Sequence, residues 1–107
     1  MHDALARDPV LQRLRSELAE LYGERIERVV LFGSRARGDE TEDSDYDIAV
    51  FLYDLTDRWR ELNRLADLRV RMLGEAKAFI DIKPYPAGSY ADRTSLMHEI
   101  RLDGVDL

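Results

Sequence analysis

Cysteine does not occur in this 107-residue chain, so disulfide bonds and thiolate metal sites are excluded, in keeping with a reducing compartment. Proline appears three times and glycine six, too rarely for a low-complexity or collagen-like segment. No apolar stretch approaches the ~20 residues that a bilayer span needs. The opening Met1-His2-Asp3-Ala4 has neither the basic start nor the apolar run of a signal peptide. A cytoplasmic protein with no membrane association is expected. Positive charge is also in deficit: 16 Lys and Arg stand against 22 Asp and Glu, a net charge of −6. Coating a nucleic acid takes a basic face, so no direct nucleic-acid binding is expected. An acidic balance suits a divalent cation or a basic partner protein.

What is present describes a globular chain, 45% apolar and 36% charged, with room for one domain, 1–107. Asp8-Pro9 is a good N-cap followed by a residue suited to the first helical position. Val10, Leu11, Leu14, Leu18 and Leu21 then recur at helical spacing up to Tyr22-Gly23. The β-branched apolar run Ile26 to Phe32 predicts a buried strand that stops at Gly33-Ser34. Arg35 to Gly38 reads as one helical turn and Asp39 to Ser44 as a polar loop. Asp45 to Leu52 predicts a second strand. A long helix follows over about 56–73, with Leu55, Trp59, Leu62, Leu65, Leu68 and Met72 as its inner stripe and Gly74 closing it. Ala78 to Lys83 is a third strand ended by Pro84 and Pro86, and a last helix covers about 90–101 before Asp103-Gly104 turns the tail out. The expected fold is α/β, in the order α-β-β-α-β-α, with helices packed on a small mixed sheet.

The segment that carries chemistry runs from Gly33-Ser34 to Asp45-Tyr46-Asp47. Asp45 and Asp47 are two apart on a strand, so both side chains leave one face. Two adjacent carboxylates repel and lose hydration in a core, and aspartate is depleted in strands. Magnesium resolves that conflict, since it binds carboxylate oxygens at about 2.0–2.1 Å and cancels the repulsion. Gly33 lets the backbone approach a phosphate closely, and the Ser34 hydroxyl and following amides can donate to it. Arg35 and Arg37 are near enough to neutralise a triphosphate, although each taken singly reads equally well as a solvated side chain. Asp81 interrupts the apolar strand Phe79-Ile80-Asp81-Ile82, where an unpaired charge is costly. If that strand lies beside the Asp45–Asp47 strand, Asp81 joins the site; the alternative is solvent exposure at an edge.

Other readings fail on particular residues. Gly33 to Gly38 matches G-x-x-x-x-G, but Asp39-Glu40 stands where a P-loop needs Lys and then Ser or Thr. Asp43, Asp45 and Asp47 fit the first positions of an EF-hand loop, yet Ile48 replaces its glycine and Asp54 its closing glutamate. His2 and His98 are lone histidines suited to surface or packing roles. Trp59 is most simply helix core. The arginine-rich helix, with Arg58, Arg60, Arg64, Arg69 and Arg71, has either a solvated face or a docking face.

Taken together, Gly33-Ser34-Arg35-Ala36-Arg37-Gly38 and, ten residues after Ser34, Asp45-Tyr46-Asp47-Ile48 resemble the MNT-type minimal nucleotidyltransferases of the DNA polymerase beta superfamily. The likeness extends to the length, to Asp81 and to the closing Ile100–Leu107 segment. It implies the nucleotidyltransferase fold, ATP as substrate with Mg²⁺, and transfer of AMP to a hydroxyl with release of pyrophosphate. By the same resemblance Gly33 and Ser34 bind the triphosphate, Asp45 and Asp47 hold the metal, and Asp81 serves as third ligand and base. Members of this group act as antitoxins to a HEPN-domain toxin, whose tyrosine they adenylylate. Larger relatives carry extra domains for the second substrate, so the expectation is that a partner delivers the acceptor. Two further readings stay open: an antitoxin that neutralises its partner by occlusion without turnover, and a free-standing transferase acting on a small molecule.

Overall fold

The computed structural model describes residues 3–107, so His2 lies outside the described residues. Its elements are α1 (Asp3–Ala6), α2 (Pro9–Tyr22), β1 (Ile26–Phe32), α3 (Ser34–Arg37), β2 (Tyr46–Leu52), α4 (Arg58–Ala76), β3 (Ile80–Pro86), α5 (Ser95–Asp103) and β4 (Val105–Asp106). The strands form one mixed sheet in the order β3-β2-β1-β4. β1 runs antiparallel to both β2 and β4, whereas β2 and β3 are parallel and joined through α4.

Alternation along the strands divides the interior in two. Ile48, Val50 and Leu52 of β2 face Leu11, Leu14 and Leu18 of α2 and Leu65, Leu68 and Met72 of α4 in the larger core. Ala49 and Phe51 point the other way, with Val30, and meet Met97 and Ile100 of α5. Phe51 stacks there against Tyr85 and Tyr90, each with ring centroids 5.6 Å away. α5 covers only part of this second face, and the β2–β3 end beyond it carries the charged residues described below. No helix among the described residues is long and apolar enough to cross a membrane.

Several local expectations are corrected. Pro84 and Pro86 lie within β3 instead of ending it. β3 is an edge strand whose odd-numbered residues bond to β2, as in Tyr46 N–H to Phe79 O and Ala87 N–H to Leu52 O. The even-numbered positions therefore face the open edge, where a missing N–H costs no ladder bond. α4 runs through Gly74 to Ala76 and ends at Lys77 in the left-handed conformation, φ 55°. The last helix begins at Ser95, since Thr94 caps it by accepting from the Met97 N–H at 3.1 Å; Ser89–Ala91 is a separate 3₁₀ turn. The tail turns in, not out: Val105–Asp106 pairs with Val30 and Leu31, and Leu107 N–H donates to Val29 O at 2.9 Å. Gly104 permits this return, for a side chain there would sit 2.9 Å from Val30 Cγ1.

The inner stripe of α4 also differs from the expected one. Trp59 is 77% exposed and forms no part of the core. Glu61 is wholly buried instead, within ion-pair distance of Arg25 at 3.0 Å, Arg64 at 3.3 Å and Arg60 at 3.7 Å. A fully buried carboxylate is costly without such partners, and this one fixes the start of α4 to the turn before β1. Glu61→Ala would remove the buried partner of three partly exposed arginines and is expected to cost about 1–3 kcal/mol of stability. Urea denaturation reads this directly, and a variant as stable as the parent would contradict it.

Candidate active site

The site forms where β2 and β3 begin. Asp47 lies on β2 directly opposite Asp81 on β3 in the parallel register. Both side chains leave the sheet on the face shared with Ala49 and Phe51, because residues two apart along a strand project alike. Asp45 sits one residue before β2 and is exposed. The sequence places Asp45 inside the strand; the structure starts the strand at Tyr46 and leaves Asp45 at its mouth.

Tyr46 separates the two aspartates and points to the opposite face, where it is buried. Its hydroxyl donates to Asp8 Oδ2 at 2.7 Å, while Asp8 Oδ1 accepts from the Val10 N–H at 2.8 Å. One carboxylate thus caps α2 and pins β2. Burial, reinforced by the hydrogen bond to Asp8, pushes the Tyr46 phenol up to about 12. The Arg35 guanidinium lies 4.0 Å from the Tyr46 ring centroid, and its Nε donates to Ser44 O at 3.0 Å. Arg35 therefore braces the loop that brings Asp45 in. Arg37 is committed too, to Asp39 and Asp103, each at 3.2 Å.

Gly33 ends β1 with φ 77°, a conformation that suits glycine. A methyl group on its Cα would collide with Asp47 Oδ2 and stand 3.1 Å from Asp47 Cγ. The requirement for glycine is thus set by the Asp47 carboxylate as well as by the turn. Ser34 opens α3 directly after it, and Gly33 O accepts from the Ala36 and Arg37 N–H groups. Gly33, Asp47 and Asp81 lie together where β2 and β3 begin, Ser34 follows Gly33, and Asp45 stands at the mouth of β2, close enough for its charge to act on Asp47.

Among the described residues, no ion pair involves Asp45, Asp47 or Asp81. No group of three or more His, Asp or Glu side chains there closes into a ready-made metal cage. Lys83 is the residue that the sequence analysis left out. It follows Asp81 by two positions on β3, so it shares its face; it is exposed and opposite Ala49. A lysine at a strand edge reads as ordinary solvation, and the only signal was its spacing from Asp81.

The Asp47 carboxyl is raised above its ordinary value of 3.8, first by burial and then by the charges of Asp81 and Asp45; Lys83 and Arg37 pull the other way. A raised folded-state pKa means that the folded chain holds this proton more tightly than the unfolded chain. The resulting stability is present below the unfolded value and is lost as pH rises through the folded one. At neutral pH the ionised Asp47 therefore opposes folding. Asp47→Asn is expected to raise Tm at pH 7 in metal-free buffer, with the gain shrinking as pH falls towards the ordinary carboxylate range. A lower Tm at pH 7 would contradict this charge balance.

Comparison with known proteins identifies the fold and the family. A protein of Methanocaldococcus jannaschii, provisionally named a protein adenylyltransferase, is 30% identical over 46 residues. That match spans 43% of this chain and 46% of the relative, so it covers about half of either protein. Among solved structures, a toxin–antitoxin complex with AMP-PNP superposes with a TM-score of 0.61 at 21% identity, covering 89% of this chain and 70% of its own. A mutant MntA–HpeT toxin–antitoxin structure gives a TM-score of 0.60 at 19% identity, with the same coverage. At these identities the structures establish the fold. The model of the family described as "Nucleotidyltransferase domain" matches residues 11–85, which include Gly33, Ser34, Asp45, Asp47, Asp81 and Lys83. The chain belongs to the nucleotidyltransferase domain family.

Proposed function

We propose that this protein transfers AMP from ATP to a hydroxyl of a partner protein, a tyrosine of a HEPN-domain toxin, and acts as its antitoxin. The observation that carries this reading is the pairing of Asp47 with Asp81 across two parallel strands, against a glycine that leaves room for the Asp47 carboxylate. The adenylyltransferase name of the archaeal relative and the toxin–antitoxin descriptions of the two structural neighbours support it.

The donor set fits Mg²⁺. Its carboxylates have no protein cation paired with them among the described residues, and Asp47 is held in a form that a cation would relieve. Mg²⁺ keeps several waters and takes one or two carboxylates together with substrate phosphates, so two aspartates are enough to bind it. Asp45 and Asp47 would hold it. When bound, Mg²⁺ would offset phosphate charge and polarise the phosphorus under attack.

The chain's own residues do the rest. The Ser34 hydroxyl and the amides that open α3 donate to the β- and γ-phosphates. With Arg35 and Arg37 committed elsewhere, Lys83 supplies the mobile positive charge next to the phosphates. Asp81 accepts the proton of the tyrosine hydroxyl as its oxygen bonds to the α-phosphorus. The bond from that phosphorus to the β-phosphate bridging oxygen breaks, and pyrophosphate leaves with the electron pair. Alignment of the acceptor in line with the leaving group accounts for much of the acceleration.

Intact-mass spectrometry tests this reading. Incubation of the HEPN-domain partner with the protein, ATP and Mg²⁺ is expected to add adenylate to the partner, with none added by Asp45→Ala/Asp47→Ala. Neutralisation by that double variant at wild-type potency, with no mass gain in any sample, would replace catalysis by occlusion. Lys83→Ala is expected to raise KM for ATP by about tenfold, the loss of roughly 1.4 kcal/mol of binding, while Lys83→Arg restores most of it. An unchanged KM would remove Lys83 from the site.

A further inference from the structure

α4 has two apolar stripes. Leu65, Leu68 and Met72 are buried against the sheet. On the opposite side Trp59, Ala66, Val70 and Leu73 recur at intervals of seven, four and three residues, the spacing of a helix–helix seam. Trp59 is 77% exposed, Val70 72% and Leu73 43%. Phe79, just before β3, continues the patch and is 56% exposed. Scattered exposed apolar residues are common, but a set at helical spacing along one face that includes a tryptophan marks a binding surface.

The stripe leads to the site. Its C-terminal half borders a cleft of about 310 Å³ lined by Val70, Leu73, Phe79, Arg69 and Asp45. Asp45, one residue before β2 and close enough for its charge to act on Asp47, thus also forms part of the wall of this cleft. The cleft lies on the α4 side of the sheet, whereas Asp47 and Asp81 leave on the other face, so a segment seated along α4 with its end in the cleft reaches Asp45 at the mouth of β2.

Charge selects the occupant. α4 carries five arginines against three acids in a chain whose net charge is −6, and although Arg60 and Arg64 pair with Glu61 and Arg71 with Glu17, the helix is a basic element of an acidic protein. Arg69 forms no ion pair among the described residues and lines the cleft. A second copy of the chain would set one arginine-rich helix against another, and like charges across an interface are unfavourable. A helix with an apolar seam and flanking Asp or Glu complements the stripe in both respects.

We propose that the outer face of α4, from Trp59 to Leu73 with Phe79, docks an acid-flanked amphipathic helix of the acceptor protein and directs its hydroxyl towards Asp45. This rests on the transferase reading for the hydroxyl, but the docking itself can be measured without turnover. The probe is the HEPN-domain partner, titrated by calorimetry against the full chain and against Val70→Asp/Leu73→Asp. These positions are exposed, so circular dichroism and Mg²⁺-dependent AMP-PNP binding are expected to match the parent. Partner affinity is expected to fall at least tenfold, and Arg69→Glu to weaken it in a salt-dependent manner. Asp47→Asn, which removes chemistry and leaves the stripe intact, is expected to bind the partner as the parent does. Partner affinity unchanged in the stripe variant would overturn the proposal, and so would a dimer of the parent that the stripe variant dissolves. Absence of adenylate transfer with stripe-dependent binding intact would sink the transferase reading and spare the docking surface.

Discussion

Asp47 and Asp81 face each other across adjacent parallel strands, and the repulsion between them organises the rest of the site. The arrangement is unfavourable in the protein alone, because burial and two neighbouring carboxylates hold the Asp47 proton too tightly. A sheet optimised for stability would place apolar or oppositely charged residues at these positions. Here the two arginines are committed to other partners, Arg35 stacked on Tyr46 and Arg37 shared by Asp39 and Asp103, and Lys83 on the same face offsets only part of the repulsion. Gly33 completes the arrangement by leaving no atoms where Asp47 needs space. The strain is local and is tolerated because the opposite face of the same strands is wholly apolar.

That division of labour between faces explains how so small a protein holds a charged opening. Tyr46, Ile48, Val50 and Leu52 commit one face of β2 to the larger core, and α2 and α4 seal it. Asp8 and Glu61 are polar ties in this layer. The first joins the start of α2 to β2, and the second joins α4 to the turn ahead of β1. Each fixes an element that borders the site, so the strand ends are held in register before any ligand arrives. Preorganisation of this kind is what lets carboxylates and hydroxyls act on a phosphate at little reorganisation cost.

The sequence made some of this legible and hid the rest for physical reasons. Helix α2 and strands β1 and β2 were clear because a cap, a periodic stripe and two apolar runs all agree. The acids of β2 stood out because aspartate conflicts with its surroundings there. β3 was cut short at Pro84, since nothing in one sequence tells which strand is the edge. β4 escaped notice because two residues carry no periodicity, and their pairing depends on a tail folding back past Gly104. Trp59 was assigned to the core on hydrophobicity alone, whereas Glu61 took the buried place by drawing Arg25, Arg60 and Arg64 around it. Lys83 was overlooked since its meaning arises only when β3 lies beside β2.

The central claim is that these acids are arranged for a metal-bound triphosphate rather than for the fold. Isothermal titration of the protein with AMP-PNP, with and without Mg²⁺, tests it most directly. Saturable one-to-one binding that requires Mg²⁺ and disappears in Asp45→Asn/Asp47→Asn is the predicted result. Binding of equal strength without the ion, or in the double variant, would contradict the account.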